Sequence, residues 1–402
     1  MAGVVVVGAG QAAASLVARL RSKGYEGSVT VIGEEPAPPY QRPPLSKAYL
    51  LGDMELARLY LRPESYYSDQ NITLRTGLRV DSIDRGTNTV TAGAEQIAYD
   101  DLVFCTGSVP RRLPAAIGGA LDGVCEVRTL ADVDSMAPRF REGAKVLIVG
   151  GGYIGLEAAA GACKLGLHVT LVEAADRILQ RVASPETSAY FRNLHKSHGV
   201  DLREGVGLSR ILGEDKVTGA ELADGTTLDV DFVIVGVGIL PASDLAEAAG
   251  VEIDNGIKVD AQGRTSDPHI WAAGDCASYP ANGVQARLES VGNAIDMGEL
   301  VADNIMGAGR DYEAKPWFWS DQYDVKLQIA GLSTGYDRII VREGDNGAVS
   351  HWYYAGDTLI ALDAMNDSRA YMVGKRLIEA GKSPSPEAIA DPDTNLKVLL
   401  KA

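Results

Sequence analysis

Two glycine-rich stretches carry the residue types and spacing of anion-binding turns: Gly8-Ala9-Gly10-Gln11-Ala12-Ala13 and Gly150-Gly151-Gly152-Tyr153-Ile154-Gly155. The first glycine of each (Gly8, Gly150) permits a tight strand-to-helix turn, and the second (Gly10, Gly152) lets the backbone approach a pyrophosphate. The third position (Ala13, Gly155) is small enough for helix and strand to pack closely. An anion placed there meets N–H groups at the positive end of a helix. Each stretch is followed by a second apolar run and an acid, Glu34 and Glu173, at an interval that lets the carboxylate accept hydrogen bonds from ribose hydroxyls. A glycine-rich strand end is also an ordinary turn, but here strand, helix and acid recur at both places. Glu173 would repel a 2′-phosphate and so favours NADH over NADPH, although Arg177 lies nearby and could accommodate one.

These turns need strands and helices to hold them. Val4-Val5-Val6-Val7 and Val146-Leu147-Ile148-Val149 read as buried strands, each running into a helix-like stretch. Two complete strand–helix–strand fingerprints imply two dinucleotides, and that pairing points to a flavoprotein reductase. The first half closes on Asp101-Leu102-Val103-Phe104-Cys105-Thr106-Gly107 and the second on Phe232-Val233-Ile234-Val235-Gly236-Val237-Gly238, as in a diverged internal duplication. Ile270-Trp271-Ala272-Ala273-Gly274-Asp275 then delivers an acid from an apolar strand into a loop, where Asp275 would hydrogen-bond the ribityl chain of a flavin. From about Ser320 the pattern changes to short alternating segments at 325–329, 338–342, 349–354 and 358–364. Turn signals such as Asp345-Asn346-Gly347 separate them, and a helix is predicted over 370–380. The expected fold class is α/β, with two Rossmann-like dinucleotide-binding domains and a C-terminal α+β domain carrying an antiparallel sheet. The expected division is 1–112 with 242–319 for FAD, 113–241 for NAD and 320–402 for the C-terminal domain.

At 402 residues the chain is too long for one hydrophobic core. A net charge of −16 argues against a nucleic-acid partner, and it would repel an acidic protein unless basic residues gather at the docking face. The opening residues enter the first strand directly, and no apolar run reaches the roughly 20 residues that span a bilayer, so a cytoplasmic location is expected. Cys105, Cys125, Cys163 and Cys276 are scattered, with no close pair and no His/Cys cluster of metal-site spacing. Reduced structural thiols and no metal are therefore expected. No long apolar surface stretch stands out, which suggests a monomer or weak dimer.

Several motifs are more specific than the glycines: Tyr40-Gln41-Arg42-Pro43-Pro44-Leu45-Ser46-Lys47, Gly150 to Glu157 (GGGYIGLE), Ala273-Gly274-Asp275, Arg287-Leu288-Glu289-Ser290-Val291, and Pro316-Trp317-Phe318-Trp319-Ser320-Asp321-Gln322. With them the chain resembles, over essentially its full length, the ferredoxin reductases of the putidaredoxin reductase type. These are relatives of apoptosis-inducing factor among glutathione-reductase-like flavoproteins. The resemblance implies electron transfer from NADH through FAD to a [2Fe–2S] ferredoxin, often feeding a monooxygenase. It implies that Gly8, Gly10 and Ala12 line the FAD pyrophosphate, with Glu34 on the adenosine ribose and the Val80 backbone on the adenine. Arg42 and Lys47 would contact the phosphates and the flavin side, Arg128 would sit near the FAD, Asp275 on the ribityl chain and Val291 by the pyrimidine end of the ring. Gly152, Ile154, Glu157, Glu173 and Gly238 would hold NADH, with Glu289 near its carboxamide. Position 291, often aromatic in such proteins, is valine here, and position 292 is glycine where a polar residue is more usual.

Hydride transfer to flavin demands positioning and exclusion of water more than acid–base chemistry. Lys47 and Glu157 are the first candidates for an ion pair that stabilises negative charge on the reduced ring. Lys47 also reads as a solvated lysine at a helix start, and Glu157 as an acid favoured by a helix dipole. Trp319, more than Trp317, is the candidate for the electron path, against the alternative that alternate tryptophans pack a core. Arg287, Lys326, Arg369, Lys375 and Arg376 are candidates for a basic patch that docks an acidic ferredoxin. The alternatives are an NADH-binding redox sensor and a reductase of another acceptor such as rubredoxin.

Overall fold

Each fingerprint ends the central strand of a five-stranded parallel sheet, in a computed structural model that describes residues 2–281 and 283–401. The chain divides into two compact units. The first contains Met1–Arg42, Met54–Val109 and Ile239–Pro316, and the second Pro43–Asp53, Pro110–Gly238 and Trp317–Ala402.

In the first unit the strand order is Ile270–Ala272, Asp101–Phe104, Val4–Val7, Val29–Ile32, Ile72–Arg75. Val4 pairs with Val29 on one side and Asp101 on the other, so Val4–Val7 is buried on both faces, as an all-valine central strand requires. Helices Gln11–Ser22 and Val291–Ile305 pack together so closely that a side chain at Gly298 would meet the Ala12 carbonyl oxygen at 2.5 Å. The chain leaves and returns side by side: Ala242 N–H donates to Gly107 O at 2.9 Å and Thr106 Oγ1 to Ala242 O at 2.6 Å.

The second unit repeats this plan with the order Asp201–Glu204, His168–Glu173, Lys145–Val149, Phe232–Val235, Val124–Cys125. Each unit also carries a three-stranded antiparallel sheet, Ser82–Asp84 with Thr89–Ala92 and Glu95–Ala98 in the first, and Leu208–Leu212 with Gly219–Leu222 and Thr227–Asp229 in the second. The likeness of the two halves in sequence is thus matched in architecture.

The C-terminal sheet is antiparallel, in the order Trp317–Gln322, Val325–Gly331, Thr358–Met365, Val349–Ala355, Arg338–Glu343, with helix Ser368–Glu379 against it. This sheet starts at Trp317 rather than at 320, because Trp317–Trp319 already pair with Gln328–Ala330. Pro43–Asp53 groups with the second unit through contacts of its own: Ser46 Oγ donates to Glu157 Oε2 at 2.6 Å and Tyr49 OH to Asp134 Oδ1 at 2.8 Å. None of the described helices is long and apolar enough to cross a membrane.

Candidate active site

In the first unit, helix Gln11–Ser22 starts at Gly10 with no capping side chain. Helices Pro185–Ser197, Val291–Ile305 and Ser368–Glu379 are capped by Ser184, Ser290 and Asp367. A side chain at Gly10 would meet nothing within 4 Å, so the uncapped end faces open space where an anion is favoured. Gly8 sits at φ +105°, and a Cβ there would lie 2.2 Å from Cys105 O, so only glycine makes this turn. Ala12 and Ala13 are buried behind it. Asp275 follows Gly274, and its Oδ2 accepts from Ser108 Oγ at 2.9 Å. Burial works against the charge of Arg42, but Tyr40, Glu35 and Asp275 raise its pKa above the usual arginine value; Nη2 donates to Glu35 Oε1 at 2.6 Å. Glu34 stands beyond its strand, exposed and 3.7 Å from Arg79. Val80 is buried in the unit's main core. Val291 is half-buried at the first position of its helix, and Glu289 pairs with Arg287.

The second unit reproduces the turn. Gly150 has φ +109°, with a Cβ position 2.3 Å from Gly236 O; helix Tyr153–Lys164 starts at an uncapped Gly152 that also faces open space. An alanine at Gly155 would place Cβ 2.1 Å from Gly150 O and force the turn open. Ile154, in the first helical turn beside the open end, leaves 42% of its surface exposed. Glu173 ends its strand and is held by Gly151 N–H (2.7 Å) and Ala175 N–H (2.8 Å), which fixes the carboxylate beside the glycine turn. Arg177 is committed elsewhere, to Ser188 Oγ at 2.5 Å and Ser184 O at 3.2 Å. Gly238, at φ +102°, lies between Arg181 and Arg111, whose nearest atoms are 3.6 and 3.7 Å from its Cβ position.

Lys47 and Glu157, far apart in sequence, meet in the second unit: Nζ lies 2.8 Å from Oε1, with the Glu157 side chain 2% exposed and that of Lys47 17%. Glu157 also accepts from Ser46 Oγ at 2.6 Å and Ser320 Oγ at 2.7 Å. A carboxylate with three donors is fully satisfied despite its burial. Trp319 projects from the opposite face of its strand to Ser320 and stacks on Trp317, with centroids 5.5 Å apart and planes at 18°. Arg128 precedes the Thr129-capped helix Leu130–Met136, with its N–H on Asp132 Oδ2 at 3.1 Å. Burial pushes the Cys105 and Cys276 thiols up, and Cys125 up to about 11, so none is an activated nucleophile. No cluster able to hold a metal occurs among the described residues.

The pyridine nucleotide-disulphide oxidoreductase family matches residues 2–298, and the reductase C-terminal family matches 317–400. A ferredoxin–NAD(P)(+) reductase from a Sphingomonas species is 45% identical over 98% of this chain and 96% of its own length. Putidaredoxin reductase from Pseudomonas putida is 40% identical, over 99% and 97%. The reductase chain in a crystal structure of the covalent putidaredoxin reductase–putidaredoxin complex superposes with a TM-score of 0.95 at 39% identity, covering 99% of this chain and 98% of that one. This chain belongs to the ferredoxin reductases of the putidaredoxin reductase type. These relatives favour the reductase over the redox-sensing alternative.

FAD and NAD(P)H are the cofactors of the family, and the structure fits both: two uncapped helix N-termini face open space, each at a turn that only glycine can make. A redox dithiol has no counterpart in this reductase, which has Tyr40-Gln41-Arg42-Pro43-Pro44-Leu45-Ser46-Lys47 after its first acid. Ser46 and Ser320 lie within specific motifs of the sequence without a role read from it, and Arg111 and Arg181 are not marked there at all. Serines and surface arginines carry no signal until folding sets them against Glu157 or Gly238. Arg287 is a correction to the docking patch: its side chain is 11% exposed and bonded to Glu289 and the Asp275 carbonyl, so it is not a docking residue. Lys375 pairs with Glu379 and Lys326, 54% exposed, lies 3.7 Å from Asp321, whereas Arg369 and Arg376 are exposed on helix Ser368–Glu379.

Proposed function

We propose that the chain takes hydride from NADH and delivers electrons one at a time to a [2Fe–2S] ferredoxin supplying a monooxygenase. The observation that carries this reading is the pair of open, uncapped glycine turns, one per unit, in a chain whose first acid is followed by no close cysteine pair. The first unit binds FAD through Gly8, Gly10, Ala12, Ala13, Glu34, Arg42, Val80, Asp275 and Val291. The second binds NADH through Gly150, Gly152, Ile154, Gly155, Glu173 and Gly238. Glu289 serves the carboxamide, and Arg128 the FAD. When bound, FAD supplies the conversion from two-electron to one-electron transfer.

The chain's own part is to bind and orient. Lys47 offers a positive charge that stabilises the reduced ring, and the Glu157 carboxylate holds that ammonium in one place. Glu173, fixed by two backbone N–H groups, suits a 2′-hydroxyl and opposes a 2′-phosphate, while Arg177 is engaged elsewhere. Trp319 serves the electron path to the acceptor, and Lys326, Arg369 and Arg376 supply the positive charge that an acidic ferredoxin needs on a chain of net charge −16.

The test is anaerobic stopped-flow absorbance, mixing the FAD-loaded protein first with NADH and then with an oxidised [2Fe–2S] ferredoxin. Fast bleaching of the flavin followed by its recovery on ferredoxin is the expected result. Bleaching without recovery across several ferredoxins would point to another acceptor, and no bleaching would refute the NADH step.

A further inference from the structure

Glu157 stands at the end of a line of hydrogen bonds that begins at Tyr323. Tyr323 OH lies 3.0 Å from His195 Nδ1, and His195 Nε2 lies 2.8 Å from Gln322 Oε1. Gln322 Nε2 donates to Ser320 Oγ at 3.1 Å, and Ser320 Oγ donates to Glu157 Oε1 at 2.7 Å.

The direction of every link follows from its end. A carboxylate accepts, so the Ser320 proton points at Glu157 and its lone pair faces Gln322. Gln322 must therefore present its NH2 group to Ser320 and its oxygen to His195. An amide oxygen accepts, so His195 carries its proton on Nε2, and Nδ1 accepts from Tyr323. Burial lowers the His195 pKa to about 4, consistent with one ring proton. All donors point one way, toward the carboxylate, and such links polarise one another.

The arrangement is costly where packing alone would not require it. His195, Gln322 and Ser320 are fully buried polar groups. Tyr323 sits at φ +56° in the two-residue turn between Trp317–Gln322 and Val325–Gly331, where glycine is the usual residue. It is held there by stacking on His198, with centroids 3.7 Å apart and planes at 12°, and by its bond to His195.

We propose that Tyr323, His195, Gln322 and Ser320 are positioning residues for the reductive half-reaction, fixing the Glu157 carboxylate and through it the Lys47 ammonium. The inference rests on the reading that the Lys47–Glu157 pair serves hydride transfer. It explains why a tyrosine occupies a strained turn remote in sequence from both fingerprints.

The experiment compares Ser320→Ala, Ser320→Thr, Tyr323→Phe and Glu157→Gln in the FAD-loaded protein. It measures the anaerobic rate of flavin bleaching by NADH, the flavin midpoint potential and Tm. Ser320→Ala removes a hydrogen bond to a charged group and should slow bleaching roughly ten-fold. Tyr323→Phe, which keeps the ring and removes only the hydroxyl, should slow it about three-fold. Ser320→Thr should restore the rate, and Tyr323→Phe should have no further effect in the Glu157→Gln background. If Ser320→Ala and Tyr323→Phe lower Tm but bleach at the wild-type rate and potential while Glu157→Gln is slow, the line is structural and the proposal falls alone. If Glu157→Gln bleaches at the wild-type rate, the reading of the ion pair falls and takes the proposal with it. Should Ser320→Ala not fold, Tyr323→Phe at its half-buried position decides the matter.

Discussion

Replacing Lys47 with methionine should destabilise the protein, and adding Glu157→Gln to that variant should restore stability rather than lower it further. At 2.8 Å the gross attraction of Lys47 and Glu157 is about 6 kcal/mol for an effective dielectric constant near 20. Lys47→Met removes that term and leaves a carboxylate with 2% exposure and no counter-charge. Removing one partner of a buried ion pair costs roughly 3–5 kcal/mol, and with the Ser46 and Ser320 hydroxyls still donating to the carboxylate the loss should be about 3 kcal/mol, near the low end. Glu157→Gln alone should cost less, because the Lys47 side chain is 17% exposed and its flexible stem can carry the ammonium to water. In the double variant no buried charge is left without a partner, and one serine can still donate to the amide oxygen. Urea unfolding of the FAD-loaded proteins at pH 7 measures all four corners of the cycle. The reasoning requires the double variant to be more stable than Lys47→Met. A double variant less stable by the full cost of Glu157→Gln would refute it, since simple additivity means that the two side chains are not coupled. Flavin bleaching by NADH should stay slow in the double variant, which separates the pair's contribution to stability from its contribution to the reaction.

Two further outcomes are expected. His195 and His351 both have pKa values lowered by burial to about 4, so the stability they contribute is fully present above pH 6.5 and is lost as pH falls through 4. Asp363, raised by burial to about 6, acts in the opposite sense, its contribution being lost as pH rises through 6. Two histidines outweigh one aspartate, and unfolding free energy from urea titrations should fall by about 4 kcal/mol between pH 7 and pH 4; a flat profile would contradict this. Glu173→Ala should weaken NADH and relieve the bar to NADPH, narrowing the ratio of their kcat/KM values about ten-fold or more. An unchanged ratio would remove Glu173 from the ribose site.

The duplicated nucleotide folds were legible because their constraints are local. Gly8 and Gly150 need positive φ beside a neighbouring strand's carbonyl, Val4–Val7 and Val146–Val149 are apolar on both faces, and each turn leaves its mark within a few residues. The alternation of the C-terminal strands was equally readable, but their first strand was not. Trp317–Trp319 show no alternation of burial, and only pairing with Gln328–Ala330 places them in the sheet. Arg287 resembled any surface arginine until the fold closed Glu289 and the Asp275 carbonyl around it.

The sequence by itself determined that this protein carries two dinucleotide turns, one to each of two similar halves, and that no dithiol stands after the first acid to take the electrons. These facts reside in residue type and short-range spacing, which backbone sterics and helix dipoles read directly. Only the tertiary structure decided what surrounds the candidate ion pair. Ser46, Glu157, His195 and Ser320 come from four separate segments, and hydrogen bonding acts across space with no regard to separation along the chain. The same holds for Tyr323, whose strained backbone is tolerated because stacking on His198 and a bond to His195 hold it, contacts that exist only once the sheet and helix have met.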